Sequence, residues 1–456
     1  MKRTLARFAA ACGGVLRGAD CGFAEAVIDS RKVGAGDLFL ALPGSRADGH
    51  DFVAAAGRSG AAGAVVSRYV EAPLPQIVVR DVAQALTQAG AAWRSGFNAP
   101  VLGVAGSNGK TTTKEMLSAI LAQSGECLAT RGNLNNQLGV PLTLLRLADR
   151  FRSAVIEIGA NRAGDVAELV AIARPQVGLI TNAGAEHLEG FGSLEGVARA
   201  EGEMVAGLGS DGVAVINADD DYAPLWRSMA RARVVSFGFA PAADVRAVDL
   251  RLEAGAQGFA TRFTLLHGPA AVPVSLALAG RHNVRNALAA AAAALAVGAT
   301  PAQVAAGLGS VRPVEGRLQF KPLPGGAWLI DDSYNANPSS AQAALEVLGE
   351  LPGRRWLVLG DMAELGAAGP ASHRDIGALA RRLGVERLYA FGPLAALAAE
   401  GFGAGAEAHT DIDALTRAVG AALAGDVRLL VKGSRVNRLE RLVAALAGGP
   451  AARPGA

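Results

Sequence analysis

The run from Val101 to Gly125, VLGVAGSNGKTTTKEMLSAILAQSG, constrains this chain more than any other. A short apolar stretch turns through glycines into Lys-Thr, and a helical pattern follows. That order predicts a strand, a phosphate-binding loop and a helix. Gly106 and Gly109 let the backbone turn tightly, so that the amides of Gly106, Ser107, Asn108, Gly109, Lys110, Thr111 and Thr112 can face phosphate oxygens. Lys110 is expected to reach the β- and γ-phosphates, and Thr111 to offer its hydroxyl to Mg²⁺. The helix adds the positive end of its dipole. Leu117, Ile120 and Leu121 share its apolar face, and Gly125 stops it. The usual spacing has glycine where this chain has Val104. Alone, the loop signifies ATP or GTP; the bland alternative is a glycine-rich turn with a surface lysine.

The rest of the chain supplies the sheet such a loop requires. After the loop strand VLGVA, the apolar runs AVIEIG, VGLITN, VAVIN and VVSFG alternate with helical patterns, the signature of a parallel α/β sheet. From Ala243 to Gly280 the texture changes to period-two alternation, which predicts an antiparallel excursion. A second alternating region, WLIDD, WLVLG, LYAFG and RLLVKG, predicts a smaller doubly wound unit. Before the loop lie a turn-rich segment, IDSRKVGAGDLFLALPG, a helical pattern, and the short strands AGAVVS and QIVVR. The 456 residues thus divide into three expected domains, 1–82, 83–312 and 313–456, in keeping with the ~150 residues typical of one domain. The tail from Gly448 is expected to fray.

Composition narrows the class. Lys and Arg number 44 against 41 Asp and Glu, and no basic run tracks a phosphate backbone, which argues against a nucleic-acid partner. Three cysteines without paired spacing suit a reducing compartment better than a disulfide framework or zinc site. The basic, apolar N-terminus is interrupted by Arg7 and by Gly13 and Gly14, which predicts an amphipathic helix instead of a signal peptide. The alanine-rich run from Ala287 to Val297 is shorter than the ~20 residues a membrane span needs. The expectation is a soluble cytoplasmic protein, taken as a monomer.

GVAGSNGKTT resembles the phosphate loop of Mur ligases, and the likeness extends along nearly the whole chain. GNLNNQLGVPLTLL, EIGANRAGDV, TNAGAEHLEGFGSLEGVARAEGEM, LAGRHNVRNALAA, EGRLQF, DDSYNANPSSAQAAL, LVLGDMAELG and VKGSRVNRLE follow in the family's order. The resemblance implies three α/β domains: an N-terminal uridine-nucleotide domain, a central phosphate-loop domain and a C-terminal Rossmann-like domain. It implies an ADP-forming ligase in peptidoglycan synthesis that uses ATP and Mg²⁺, makes an acyl phosphate and lets an amine attack it. DMAELG and DDSYNANP point to the branch that adds D-alanyl-D-alanine to UDP-N-acetylmuramoyl-tripeptide. The branch that adds one amino acid commonly carries a DNPR segment, which is absent here. From another class, an ATPase that forms no bond remains the alternative.

The resemblance also assigns roles. Glu157 and His187 join Thr111 as metal ligands; read alone, each is as easily a solvated or packed side chain. Glu201 stands where many relatives carry a lysine that becomes carbamylated, and its carboxylate is expected to act directly, with Glu203 close enough to leave the register open. Asn286 would bind adenine, with Asn283 and His282 nearby. Arg317 would approach the γ-phosphate from the third domain, so catalysis would require domain closure. Asp332 would contact ribose or hold the loop that does, and Tyr334, Asn335 and Asn337 combine nucleotide closure with turn chemistry before Pro338. Ser30, Arg31, Asp48, Gly49 and His50 are expected at the uridine nucleotide, and Asn133, Asn135, Asn136 and Gln137 at the peptide end. Asp361, Met362, Glu364 and Leu365 fall near the incoming dipeptide, Glu364 as contact or as structure. Lys432, Ser434 and Arg435 match a C-terminal motif without an assigned role.

Overall fold

A computed structural model describes residues 2–44, 47–185, 188–255 and 258–448. The tail from 449 onward, including most of the segment expected to fray, lies outside the described residues. Among the described residues the apolar textures become three sheets of five, nine and six strands.

In the nine-stranded sheet the loop strand Val101–Ala105 lies between Ser153–Glu157 and Val177–Ile180, parallel to both. The chain moves first to one side of this strand and then to the other. A crevice therefore opens at its C-terminal end, the place where open α/β sheets bind ligands. Val213–Asn217 and Arg233–Gly238 continue the parallel order. The expected antiparallel excursion is present as Val245–Gly255, Gly258–His267 and Ala270–Leu276.

The alanine run belongs to the core. It forms most of the helix Arg281–Ala296, and Ala287 and Ala289 through Ala294 are fully buried. It shares a core with Met116, Leu117 and Ile120 of the helix Lys110–Leu121. Side chains of one carbon let two helix backbones approach closely, which brings the start of the alanine helix to the phosphate loop. No described helix is long and apolar enough to cross a membrane.

The turn-rich N-terminal segment contains a strand that its composition hides. Leu38–Leu40 is wholly buried between Ala26–Val27 and Gly63–Val66. Three residues between polar turns give no readable alternation. Val15–Arg17, Cys127–Ala129, Gln319–Pro322 and Ala406–His409 also escape sequence periodicity. Each ends a sheet, where partial exposure weakens the hydrophobic signal. The N-terminal amphipathic helix is Leu5–Cys12, capped by the Thr4 side chain, with Leu5, Phe8 and Ala9 buried. The helix Val82–Ser95 shares a core with the first sheet and with Leu142 and Leu145, and so braces that sheet against the central one.

The third sheet is parallel from Trp328–Asp332 through Val427–Lys432, Arg354–Gly360 and Arg387–Phe391 to Ala406–His409. Gln319–Pro322 adds one antiparallel edge strand.

Candidate active site

The phosphate loop requires its two glycines. Gly106 has φ 118°, and a Cβ there would lie 2.1 Å from Thr181 Oγ1. Gly109 has φ 82°, and a Cβ would lie 2.4 Å from Asn286 Oδ1. The loop is fastened from beneath. Thr181 Oγ1 and Asn182 Nδ2 donate to the Asn108 carbonyl at 2.7 and 2.9 Å, and the Asn108 amide donates to Asn182 Oδ1 at 3.1 Å. Lys110 Nζ folds back over the loop and donates to the Gly106 and Ser107 carbonyls. In the sequence Thr181 and Asn182 are two polar residues after an apolar run; the neighbouring strand Val101–Ala105 gives their side chains the loop to hold.

Glu157 stands at the rim because its strand pairs Glu157 with Val104, two residues before Gly106. It is buried; Oε1 accepts from Asn135 Nδ2 at 2.9 Å and from Thr111 Oγ1 at 3.4 Å. Among the described residues, no donor bonds the buried Oε2, and Lys114 Nζ lies 3.7 Å from Glu157 Oε2. A buried carboxylate oxygen short of a partner, beside a threonine hydroxyl, fits a hard divalent cation such as Mg²⁺. Lys114, which the sequence did not single out, is 1% exposed and also holds the Thr130 carbonyl at 2.8 Å and Glu115 at 2.9 Å. His187 lies outside the described residues.

Of the two nearby glutamates, Glu201 is the one that faces the loop. Glu201 is 2% exposed, and its Oε2 accepts the Gly106 amide at 2.6 Å. Glu203 points the other way and accepts the Gly164 and Ala167 amides at the start of the helix Asp165–Ala173. A charge-assisted bond to Gly106 makes Glu201 part of the loop's scaffold.

The third sheet is already docked on the loop. Arg317 Nη2 lies 3.5 Å from Thr111 Oγ1, and its guanidinium sits 4.4 Å from the Tyr334 ring centre. Asn337 Nδ2 donates to Asn108 Oδ1 at 2.9 Å, and Asn108 Nδ2 to Ser339 Oγ at 3.0 Å. Between the two domains a cavity of about 510 Å³ is lined by Ser107 through Thr112, Asn133, Asn135, Asn136, Glu157, Asn283, Asn286, Arg317, Asp332 and Asn335. Lys432 Nζ donates to Asp332 Oδ2 at 2.6 Å and to the Asn335 carbonyl at 2.9 Å. Burial pushes the Asp332 carboxyl up despite that partner. Asp332 Oδ1 accepts from the Leu318 amide, so it holds the loop that carries Arg317.

At the start of the helix Arg281–Ala296, Asn283 Nδ2 donates to the Ala279 carbonyl at 2.8 Å, and Asn286 Nδ2 reaches Asn283 Oδ1 at 3.4 Å. Burial, then Lys432 and Arg285, lower the His282 pKa to about 4. The unfolded chain therefore binds a proton near pH 6.5 that the folded chain refuses until about pH 4. Stability should fall as pH drops through that window, by at most ~1.4 kcal/mol per pH unit from this group. Urea unfolding of His282→Asn between about pH 4 and 6.5 should show a shallower pH slope than wild type; an unchanged slope would refute the shift.

The remaining substrate candidates divide. Asn136 Oδ1 caps the helix Gly139–Leu144 through the Gly139 amide, while Asn135 turns to Glu157. Ser30 and Arg31 lie in a 3₁₀ turn where Arg31 pairs with Asp29. His50 is buried, with Nδ1 2.6 Å from Asp48 Oδ1 and Nε2 accepting the Ser67 amide, so packing occupies its ring. None of Ser30, Arg31, Asp48, Gly49 and His50 lines the 510 Å³ cavity. Asp361 Oδ1 accepts the Ala395 amide at 2.6 Å, and Glu364 has φ 64°.

Three family models match in the order of the sheets: "Mur ligase family, catalytic domain" over 25–94, "Mur ligase middle domain" over 104–294, and "Mur ligase, glutamate ligase domain" over 316–435. A phosphate loop that meets an arginine from a separate Rossmann-like domain suits that class, and the chain belongs to the Mur ligase family. Within it, the chain is 43% identical over 447 residues to UDP-N-acetylmuramoyl-tripeptide–D-alanyl-D-alanine ligase of Escherichia coli K12, covering 97% of this chain and 98% of that one. The Bacillus subtilis 168 enzyme of the same name is 36% identical, covering 82% and 81%. Among solved structures, MurF from Acinetobacter baumannii matches with TM-score 0.90 and 36% identity, covering 98% and 99%. MurF from Thermotoga maritima, in complex with ADP, matches at 0.82 and 27%, covering 93% and 97%.

Proposed function

We infer that this chain joins D-alanyl-D-alanine to UDP-N-acetylmuramoyl-tripeptide at the expense of ATP, and that it acts in the cytoplasm as a monomer. The observation that carries the reading is the meeting of Arg317 with Thr111, which brings a second domain to the point where a γ-phosphoryl would lie. The Gly106, Ser107 and Asn108 amides are taken up by Glu201 and Asn182, so the amides at the start of the helix Lys110–Leu121, with Lys110, hold the phosphates. The substrate carboxylate takes the γ-phosphoryl and ADP leaves. The dipeptide amine then attacks the acyl carbon, phosphate departs, and the amine loses its proton to solvent. Arg317, through its planar guanidinium, stabilises the transferring group. Thr111 and Glu157 would hold Mg²⁺, with His187 a further ligand by resemblance. When bound, the ion would offset repulsion between the two anions. Asn283 and Asn286 face adenine, and Ser30, Arg31 and the turn of Asp48, Gly49 and His50 belong to the uridine nucleotide.

Glu201 adds a fixed negative charge under the loop, near the metal, in place of the modified lysine. Glu201→Gln keeps an acceptor for the Gly106 amide and removes the charge. The Mg²⁺ concentration for half-maximal rate should rise by on the order of 10-fold. Unchanged activity and Mg²⁺ dependence would sink this role. The overall reading is tested by phosphate release with each substrate alone and with both. Release that needs both, with the pentapeptide seen by mass, supports it. Release with a single amino acid and not the dipeptide points to the other branch, and release indifferent to both to a bare ATPase.

A further inference from the structure

Arg435 has no part in the chemistry above, yet Ser434 and Asn437 on either side of it are tied to neighbouring loops. The Ser434 amide donates to the Asp361 carbonyl at 3.0 Å, and Ser434 Oγ to the Ala336 carbonyl at 3.2 Å. Ser434 Oγ also accepts the Ala363 amide at 2.8 Å. Two residues past Arg435, Asn437 Nδ2 donates to the Asp361 and Ser434 carbonyls, and its Oδ1 accepts the Asp361 amide. These bonds tie the loop after Val427–Lys432 to the loop after Arg354–Gly360 and to the turn from Tyr334 to Asn337. From this anchored point the side chain reaches outward, 66% exposed, with Glu440 at 3.6 Å as its ion-pair partner. So exposed a pair contributes little stability.

Its position relative to Arg317 gives it a purpose. The Arg317 guanidinium lies 4.4 Å from the Tyr334 ring centre and that of Arg435 lies 6.0 Å from the same centre. The two can be no farther apart than those distances laid end to end, about 10 Å. Arg317 marks the acyl-phosphate end, where the attacking amine must be. Two extended residues span ~7 Å. An amine held near Arg317 therefore places the dipeptide's C-terminal carboxylate within reach of Arg435. A planar guanidinium meets a carboxylate through two parallel hydrogen bonds.

We propose that Arg435 binds the terminal carboxylate of the incoming dipeptide and so selects a free-acid acceptor; this rests on the ligase reading. Wild-type protein is assayed first for dipeptide-dependent phosphate release, which tests that reading by itself; its absence overturns both. Given release, Arg435→Gln should raise KM for D-alanyl-D-alanine by on the order of 50-fold. KM for ATP and for the UDP-tripeptide, and kcat at saturating dipeptide, should stay within about 2-fold. Wild type should prefer the free acid over D-alanyl-D-alaninamide, and the variant should lose most of that preference. Arg435→Lys, which keeps the charge without the fork, should recover part of it. A dipeptide KM within about 3-fold of wild type overturns the proposal, as does an equal rise for acid and amide. The second result would mean that Arg435 serves only the loop.

Discussion

Lys110→Ala should lower ATP-dependent phosphate release by on the order of 1,000-fold while the protein stays folded. The ammonium rests on the Gly106 and Ser107 carbonyls of the loop itself, so the substitution removes a charge that the apolar core does not depend on. ADP binding should weaken much less than the rate, because the backbone amides at the start of the helix Lys110–Leu121 remain. A positioned charge acting on the transferring phosphoryl contributes most in the transition state. Single-turnover phosphate release, paired with ADP binding by calorimetry, separates the two effects. A rate within about 10-fold of wild type would remove Lys110 from the chemistry.

The second large effect is on stability. Lys114→Met should cost about 3 kcal/mol, since it leaves the buried Glu157 carboxylate without the cation 3.7 Å away. That corresponds to a fall in Tm of roughly 6–12 °C for a domain of this size. Adding Glu157→Gln should recover part of the loss, because two neutral side chains of similar volume avoid the uncompensated charge. A double-mutant cycle should give a coupling of at least ~1 kcal/mol. Strict additivity would show that Lys114 serves only the Thr130 carbonyl and Glu115.

The docked arrangement bears on both results. Arg317 and Asn337 reach the phosphate loop from sequence positions more than 200 residues away. An apolar contact accompanies them: Phe259 of the central sheet meets Phe320 edge-on at 5.6 Å, and Phe320 meets Trp328 at 5.3 Å. Leu318, Ile330 and Leu345 share a core with Phe259 and Ala279. The third domain is therefore joined to the central one by a packed apolar contact as well as by the polar contacts at the loop.

The local sequence determined what depends on near neighbours. Gly106, Gly109, Lys110 and Thr111 prescribe a phosphate loop because backbone freedom and charge are properties of consecutive residues. The same holds for the parallel strands from Val101 to Gly238, whose buried residues form continuous apolar runs, and for the amphipathic helix Leu5–Cys12. Tertiary structure decided which distant groups meet. Only strand register puts Glu157 beside Val104. Only helix packing aims Glu201 at the Gly106 amide and turns Glu203 to another helix. A lysine in an ordinary helical pattern, Lys114, becomes a buried cation because the strand opposite it carries Glu157. Arg435 acquires a candidate role through its distance from Arg317 across Tyr334, and no local pattern carries that distance. Side chains far apart in sequence interact through space with energies that fall steeply with separation. A one-dimensional pattern records which groups are available, and the packed domains set the distances at which they act.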